Sequence, residues 1–139
     1  MGRCVLIVQG EGRGHLSQGL ALAEYLQEAG HIVVAVFAGS REDCWLPGYF
    51  TDFFGRRLVL FRSPYLLRTP NRKGIYVGRT ILFNLSRSFI YLRDARRIRQ
   101  RIDELVPDVV FNLYDLVGAI ALRGIAPGIR RIGVGHHFF

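Results

Sequence analysis

The run Val5-Leu6-Ile7-Val8-Gln9-Gly10-Glu11-Gly12-Arg13-Gly14-His15 constrains the fold of this chain more than any other stretch. A short apolar strand ends in three alternate glycines, and a histidine follows as an amphipathic helix begins. Glycine at these positions lets the backbone turn sharply, with positive φ where the turn needs it, and keeps side chains out of the space beyond the strand. The helix, expected from about Leu16, aims its unpaired N–H groups and the positive end of its dipole into that space. Such a turn suits an anionic or strongly polar ligand. Gly10, Gly12, Arg13 and Gly14 are its candidate binding residues, and His15 is a titratable group on the rim.

Two common phosphate motifs fit poorly. A Walker loop needs a Lys-Ser/Thr pair at the helix start, and this chain has His15-Leu16 there. A dinucleotide fingerprint puts its third glycine at position 15, which is His15, and the second strand lacks a terminal acid for a ribose hydroxyl. Arg41 could meet a 2′-phosphate instead. An NADP-binding oxidoreductase domain built on Gly10, Gly12 and Arg41 therefore stays open as an alternative.

Strand and helix patterns alternate along the chain. Strands are expected at Cys4 to Gln9, Ile32 to Phe37, Leu58 to Phe61, Val109 to Leu113 and Ile132 to Val134. The first helix should close on Gly30 as a left-handed cap. Trp45 to Phe54 reads as an irregular aromatic stretch. Helix formers run from Thr80 to Leu105, where Phe89, Leu92, Ala95, Ile98, Ile102 and Leu105 recur at spacings of three and four as a core stripe, and Pro107 ends the helix. A short helix spans Leu116 to Leu122. Near-continuous apolar strands alternating with helices define an α/β, Rossmann-like parallel sheet with helices on both faces. Ligands bind such sheets at the C-terminal ends of strands, which makes Asp115 and His136 candidates for the same crevice. Asp115 has a second role open to it, capping the helix at Leu116. His136 and His137 read equally well as polar residues at a strand end.

The chain has 139 residues, one domain's worth, and half are hydrophobic, with no linker, repeat or low-complexity tract. The apolar run at the N-terminus is too short for a signal peptide. No segment approaches the ~20 uninterrupted apolar residues of a membrane span. Two cysteines, Cys4 and Cys44, make neither a metal site nor a disulfide framework, so a reduced, cytoplasmic setting is expected. Cys4 should pack in the first strand.

The net charge of +8 is concentrated. Between residues 53 and 101 stand thirteen basic residues, twelve of them arginine, against Asp94 alone, with aromatics interleaved. Arginine's planar fork favours phosphate oxygens. Basic groups beside apolar loops suit an anionic membrane surface, each contributing about 1 kcal/mol near the headgroups. The loop Tyr65 to Ile75 is the candidate contact. Arg62, Leu66, Leu67, Arg68, Arg72 and Lys73 form its patch, placing the protein on the inner face of the membrane. A basic nucleic-acid-binding module is the further alternative, disfavoured because no RNA- or DNA-binding motif is present.

The opening Gly10-Glu11-Gly12-Arg13-Gly14-His15, continued by Leu16-Ser17-Gln18-Gly19-Leu20-Ala21-Leu22-Ala23-Glu24-Tyr25-Leu26 and Gly30-His31, resembles the start of GT-B glycosyltransferases, in particular MurG-like UDP-sugar transferases with a G-x-G-x-G-H opening. Val106-Pro107-Asp108-Val109-Val110-Phe111 and Ile132-Gly133-Val134-Gly135-His136-His137 resemble two later strands of that family. Residues 45 to 90 carry little of the likeness. The resemblance implies one half of a two-domain enzyme: an N-terminal, acceptor-binding domain of an inverting transferase. A C-terminal half, in cis or as a separate chain, would hold most of the nucleotide-sugar donor. It further implies His15 as catalytic base and a glycan or lipid-linked acceptor. No cofactor is implied beyond the UDP-sugar-type substrate, and no metal, since no D-x-D motif occurs. The end of the chain at Phe139, just past a core strand, fits the same expectation. Glu11-Gly12-Arg13 replaces smaller residues of the family loop, and His137-Phe138-Phe139 replaces Glu-Gln-Asn, so the acceptor of MurG itself is not carried over.

Overall fold

The computed structural model describes residues 1–41, 45–71 and 73–135. Cys44, Arg72 and His136 lie outside the described residues.

Five parallel strands form one sheet in the order β3-β2-β1-β4-β5: β1 (Arg3–Gln9), β2 (Ile32–Ser40), β3 (Leu58–Arg62), β4 (Val109–Leu113) and β5 (Arg130–Val134). The central β1 is apolar from Cys4 to Val8 because it is covered on both faces, and these five residues are all buried. On one face, α1 (Arg13–Glu28) and α2 (Gly48–Phe54) pack Leu16, Ala23, Phe50 and Phe54 against Leu6, Val8 and Val36. On the other, α4 (Ser88–Leu105) and α5 (Leu116–Leu122) pack Ala95, Ile98, Ile102 and Val117 against Val5, Ile7, Phe37 and Val110. This is the α/β, Rossmann-like sheet expected from the strand-helix alternation.

The first helix begins at Arg13, three residues before the expected Leu16, so Gly14 and His15 belong to its first turn. Its C-terminus closes as expected. Gly30 takes φ 83°, its N–H donates to Gln27 O, and the His31 N–H donates to Leu26 O, the paired bonds of a Schellman motif.

Two expectations are corrected. The aromatic stretch is not wholly irregular: Phe50 and Phe54, one turn apart, are both buried with their rings 4.8 Å apart, and this burial supports a seven-residue helix. The long helix from Thr80 is in fact two, α3 (Val77–Ser86) and α4, divided at Arg87. The Ser86 hydroxyl donates to Phe83 O and the Asn84 side chain to Tyr65 O, which ties the end of α3 to a loop instead of to a further turn. Of the expected stripe, Ala95, Ile98 and Ile102 are buried in α4 beside Tyr91 and Asp94, and Leu105 packs against the same core. Phe89 and Leu92 face outward at 67% and 49% exposure, because steps of three residues back from Ala95 each fall about 60° short of a full turn.

Candidate functional site

At the C-terminal rim of the sheet, the chain leaves β1 through Gly10, Glu11 and Gly12. Gly12 takes φ 100°, a conformation that disfavours any side chain, and serves as the N-cap of α1 without a capping side chain. The first N–H groups of α1 therefore have no side-chain acceptor at the cap. No acidic residue stands in the first turn; Arg13 does, exposed, where the helix dipole favours an anion. A β-carbon on Gly14 would meet nothing within 4 Å, so the approach to this turn is open.

His15 follows, half-buried, its ring tilted against Tyr114 with centroids 4.5 Å apart. Its Nδ1 is buried and has no hydrogen-bond partner among the described residues. Tyr114 sits directly after β4 with φ 64°, a left-handed conformation rare for an aromatic residue. The two rings line a cleft of about 380 Å³, with Gln9, Tyr65, Leu66, Arg68 and Asn84 among its other walls.

Beneath the cleft lies a close-packed knot that ties its walls together. The Gly10 N–H donates to Gly39 O at 2.7 Å, and a β-carbon on Gly10 would collide with that carbonyl. Gly39 is roofed by Asp115, Ser63 and Phe61. The Asp115 carboxylate accepts from Gly118 N and from the Ser63 hydroxyl, both at 2.7 Å, while the Asn112 amide donates to the Asp115 carbonyl. Each knot residue adjoins a piece of cleft wall: Gly10 the α1 turn, Ser63 the Pro64-Tyr65-Leu66 loop, and Asp115 the Tyr114 ring.

Gly10 and Asp115, expected as ligand-binding residues, are thus placed otherwise. Gly10 is glycine because β1 and β2 approach closely, and its N–H is already satisfied. Asp115 is 2% exposed and caps α5, the second of its two roles. Burial pushes its carboxyl pKa up, outweighing the hydrogen bonds from Gly118, Ser63 and Val117 that favour the charge. Asp115→Ala is expected to cost about 2 kcal/mol by urea unfolding, because it removes a cap and orphans a buried hydroxyl. The pH dependence has a definite sign. The folded chain holds this proton more tightly than the unfolded one, so the cost of burying the charge is absent at low pH. That cost sets in as pH rises from about 4, the ordinary aspartate value, to the raised pKa. Asp115→Asn keeps an acceptor for the cap and should remove this slope, gaining on the native chain as pH rises through that window.

The sequence-derived patch is only partly assembled. Leu66 and Arg68 are exposed and line the cleft. Leu67 is half-buried, its N–H donating to the Thr80 hydroxyl. The loop folds on itself through the Arg68–Ile75 bridge and the Thr69–Gly74 and Tyr76–Leu67 backbone bonds, and Lys73 lies exposed near its tip. Arg62 faces a different groove. Arg41, the residue considered for a 2′-phosphate, lies with its guanidinium 4.3 Å from the Tyr65 ring centroid. Sequence reasoning missed Tyr114 and Asn84, and named Tyr65 only as the start of the candidate membrane loop. Tyr114 had a signal, its place at the C-terminal end of a central strand, where ligands of such sheets sit. Among the described residues no cluster of three or more His, Cys, Asp or Glu could hold a metal ion, and no helix is long and apolar enough to cross a membrane.

The fold is that of a Rossmann-like α/β domain, and two solved structures share it over part of their length. A glycosyltransferase from Rickettsia africae ESF-5 superposes over 95% of this chain with a TM-score of 0.52 and 13% identity. The glycotransferase of kitacinnamycin does so over 95% with a TM-score of 0.56 and 20% identity. At these identities the likeness is one of fold. The chain spans 29% and 30% of those two chains, respectively. No family model and no curated protein matches the sequence.

Proposed function

We propose that the chain is the N-terminal, acceptor-side half of a GT-B glycosyltransferase that inverts at the anomeric carbon and uses a nucleotide-sugar donor. The observation that carries this reading is the orphaned, buried Nδ1 of His15, held against Tyr114 in an open cleft beside an uncapped helix N-terminus. An inverting transfer needs a base for the acceptor hydroxyl and donors for the departing diphosphate. His15 supplies the first, and the Gly12, Arg13 and Gly14 turn supplies the second or holds a phosphate of the acceptor. A second half, in cis or as a separate chain, closes the cleft and excludes water; this half by itself is expected to be inactive. His136 and Arg72 keep their sequence-based assignments to the crevice and the basic patch. The experiment is a transfer assay with UDP-sugars and lipid-linked acceptors on the polypeptide that carries these residues, native against His15→Ala. Undiminished transfer by the variant would refute the assignment.

The acceptor side is proposed to rest on an anionic membrane at the cytoplasmic face. Supporting this, α3 leaves Val77, Ile81, Leu82 and Leu85 exposed beside Leu66 and Ile75 of the basic loop, with Arg68, Lys73 and Arg79 close by in sequence. Leu82→Asp with Leu85→Asp should weaken cosedimentation with phosphatidylglycerol vesicles by about tenfold, without changing the melting temperature. Equal binding by native and variant chains would remove α3 from the contact.

A further inference from the structure

A second groove, of about 680 Å³, runs between α4 and the edge strand β3 and, among the described residues, shares no lining with the His15 cleft. Its apolar floor is Phe37, Val59, Phe61 and Ile98. Arg93, Arg97 and Arg101 stand along one wall at intervals of four residues, about 6 Å apart along the helix axis. Arg41 and Arg62, from the ends of β2 and β3, stand at its head.

One carboxylate, Asp94, lies among these described lining residues, and it has a structural task. It is 6% exposed, and its Oδ2 accepts the Arg62 backbone N–H at 3.0 Å, while Oδ1 lies 3.5 Å from Arg93. That contact occupies a backbone donor of β3 and blunts the edge against an added peptide strand. Recognition in this groove therefore falls to side chains. Arg101 also touches Glu104 at 3.0 Å, but both side chains are more than half exposed, a pairing that binds weakly. Arg97, between them, makes no hydrogen bond or ion pair among the described residues.

Arginines on successive turns of one wall, with one carboxylate among the described lining residues, favour an anion that two of them can share. Their planar forks meet phosphoryl oxygens two at a time, and the apolar floor lowers the local dielectric, which strengthens such bonds. We infer that the β3–α4 groove binds a ligand carrying two or more linked phosphoryl groups, bridged by Arg93 and Arg97. Inorganic oligophosphate and the diphosphate of a nucleotide share this chemistry.

The test is calorimetric titration of the purified chain with inorganic pyrophosphate and, separately, with uridine diphosphate, at fixed ionic strength. Arg93→Gln with Arg97→Gln should weaken pyrophosphate by about tenfold or more. Arg123→Gln with Arg130→Gln, equal in charge but outside the groove, should change it by less than about twofold. Uridine diphosphate binding tighter than pyrophosphate, with the same arginine dependence, assigns the groove to nucleotides; equal binding assigns it to oligophosphate alone. Absence of saturable binding, an equal loss in the remote pair, or equally tight binding of tetraglutamate would overturn the inference.

Discussion

Gly39→Ala is expected to lower the folding stability of this chain by about 3 kcal/mol, at the upper end for overpacking a buried site. The added β-carbon would lie 2.5 Å from Asp115 Oδ2, 2.8 Å from Ser63 Cβ and 3.1 Å from Phe61 Cζ. None of these neighbours can swing aside cheaply. Asp115 is fixed by two hydrogen bonds, Ser63 is bonded to it, and Phe61 is packed in the core. Gly39 cannot retreat either, since its carbonyl receives the Gly10 N–H on the other side. Relief would require breaking the Ser63–Asp115 bond or separating β1 from β2, and each exposes or orphans a buried polar group. Gly14→Ala is the internal control: its β-carbon meets no atom within 4 Å, and alanine in a helical position gains up to about 1 kcal/mol over glycine. Urea unfolding of the two variants beside the native chain decides the matter. A loss below about 1 kcal/mol at position 39 would mean that the rim is looser than its packing indicates.

These two glycines show why the sheet was legible in the sequence and the chemistry of its rim was not. The strands and the covering of the sheet on both faces follow from local patterns: the doubly buried run Cys4 to Val8, the Gly30 cap and Pro107 each act on their own neighbourhood. The difference between Gly10, which keeps two strands close, and Gly14, which keeps a helix start open, is set by atoms from Gly39 and from nothing at all. Glycines two and four residues apart look alike until the chain has folded. Asp115 is a similar case. Its capping role could be read from the helix that follows, but its bond to Ser63 spans 52 positions and leaves no local trace. The single helix expected from Thr80 failed for a related reason. The spacing of apolar residues does not show the break at Arg87, beside which Asn84 reaches back 19 positions to Tyr65. The Tyr114 ring against His15 joins residues from α1 and from the end of β4, and no pattern in either segment announces it.

On the proposed transferase reading, His15→Ala in the polypeptide that carries both halves is expected to reduce the rate of glycosyl transfer by about 10²- to 10⁴-fold, the usual contribution of a positioned general base. The loss should fall on kcat more than on KM, because removing the imidazole leaves the Gly12–Gly14 turn and the Tyr65, Arg68 and Asn84 walls in place. The fold should scarcely notice. The stack on Tyr114 contributes about 1 kcal/mol, and the variant also discards a buried nitrogen that has no partner, which offsets part of that loss. A histidine kept only for structure would behave in the opposite way, with its substitution lowering the unfolding midpoint and leaving kcat nearly intact. Added imidazole should restore part of the rate in His15→Ala, since the emptied side of a cleft of about 380 Å³ can admit it. Gly14→Ala separates proton transfer from access: it leaves the imidazole in place, gains or holds stability, and should raise KM by narrowing the approach to the α1 turn. Retention of native kcat in His15→Ala together with a destabilisation above about 2 kcal/mol would assign this residue to the architecture of the rim and return the search for a base to the other walls of the cleft.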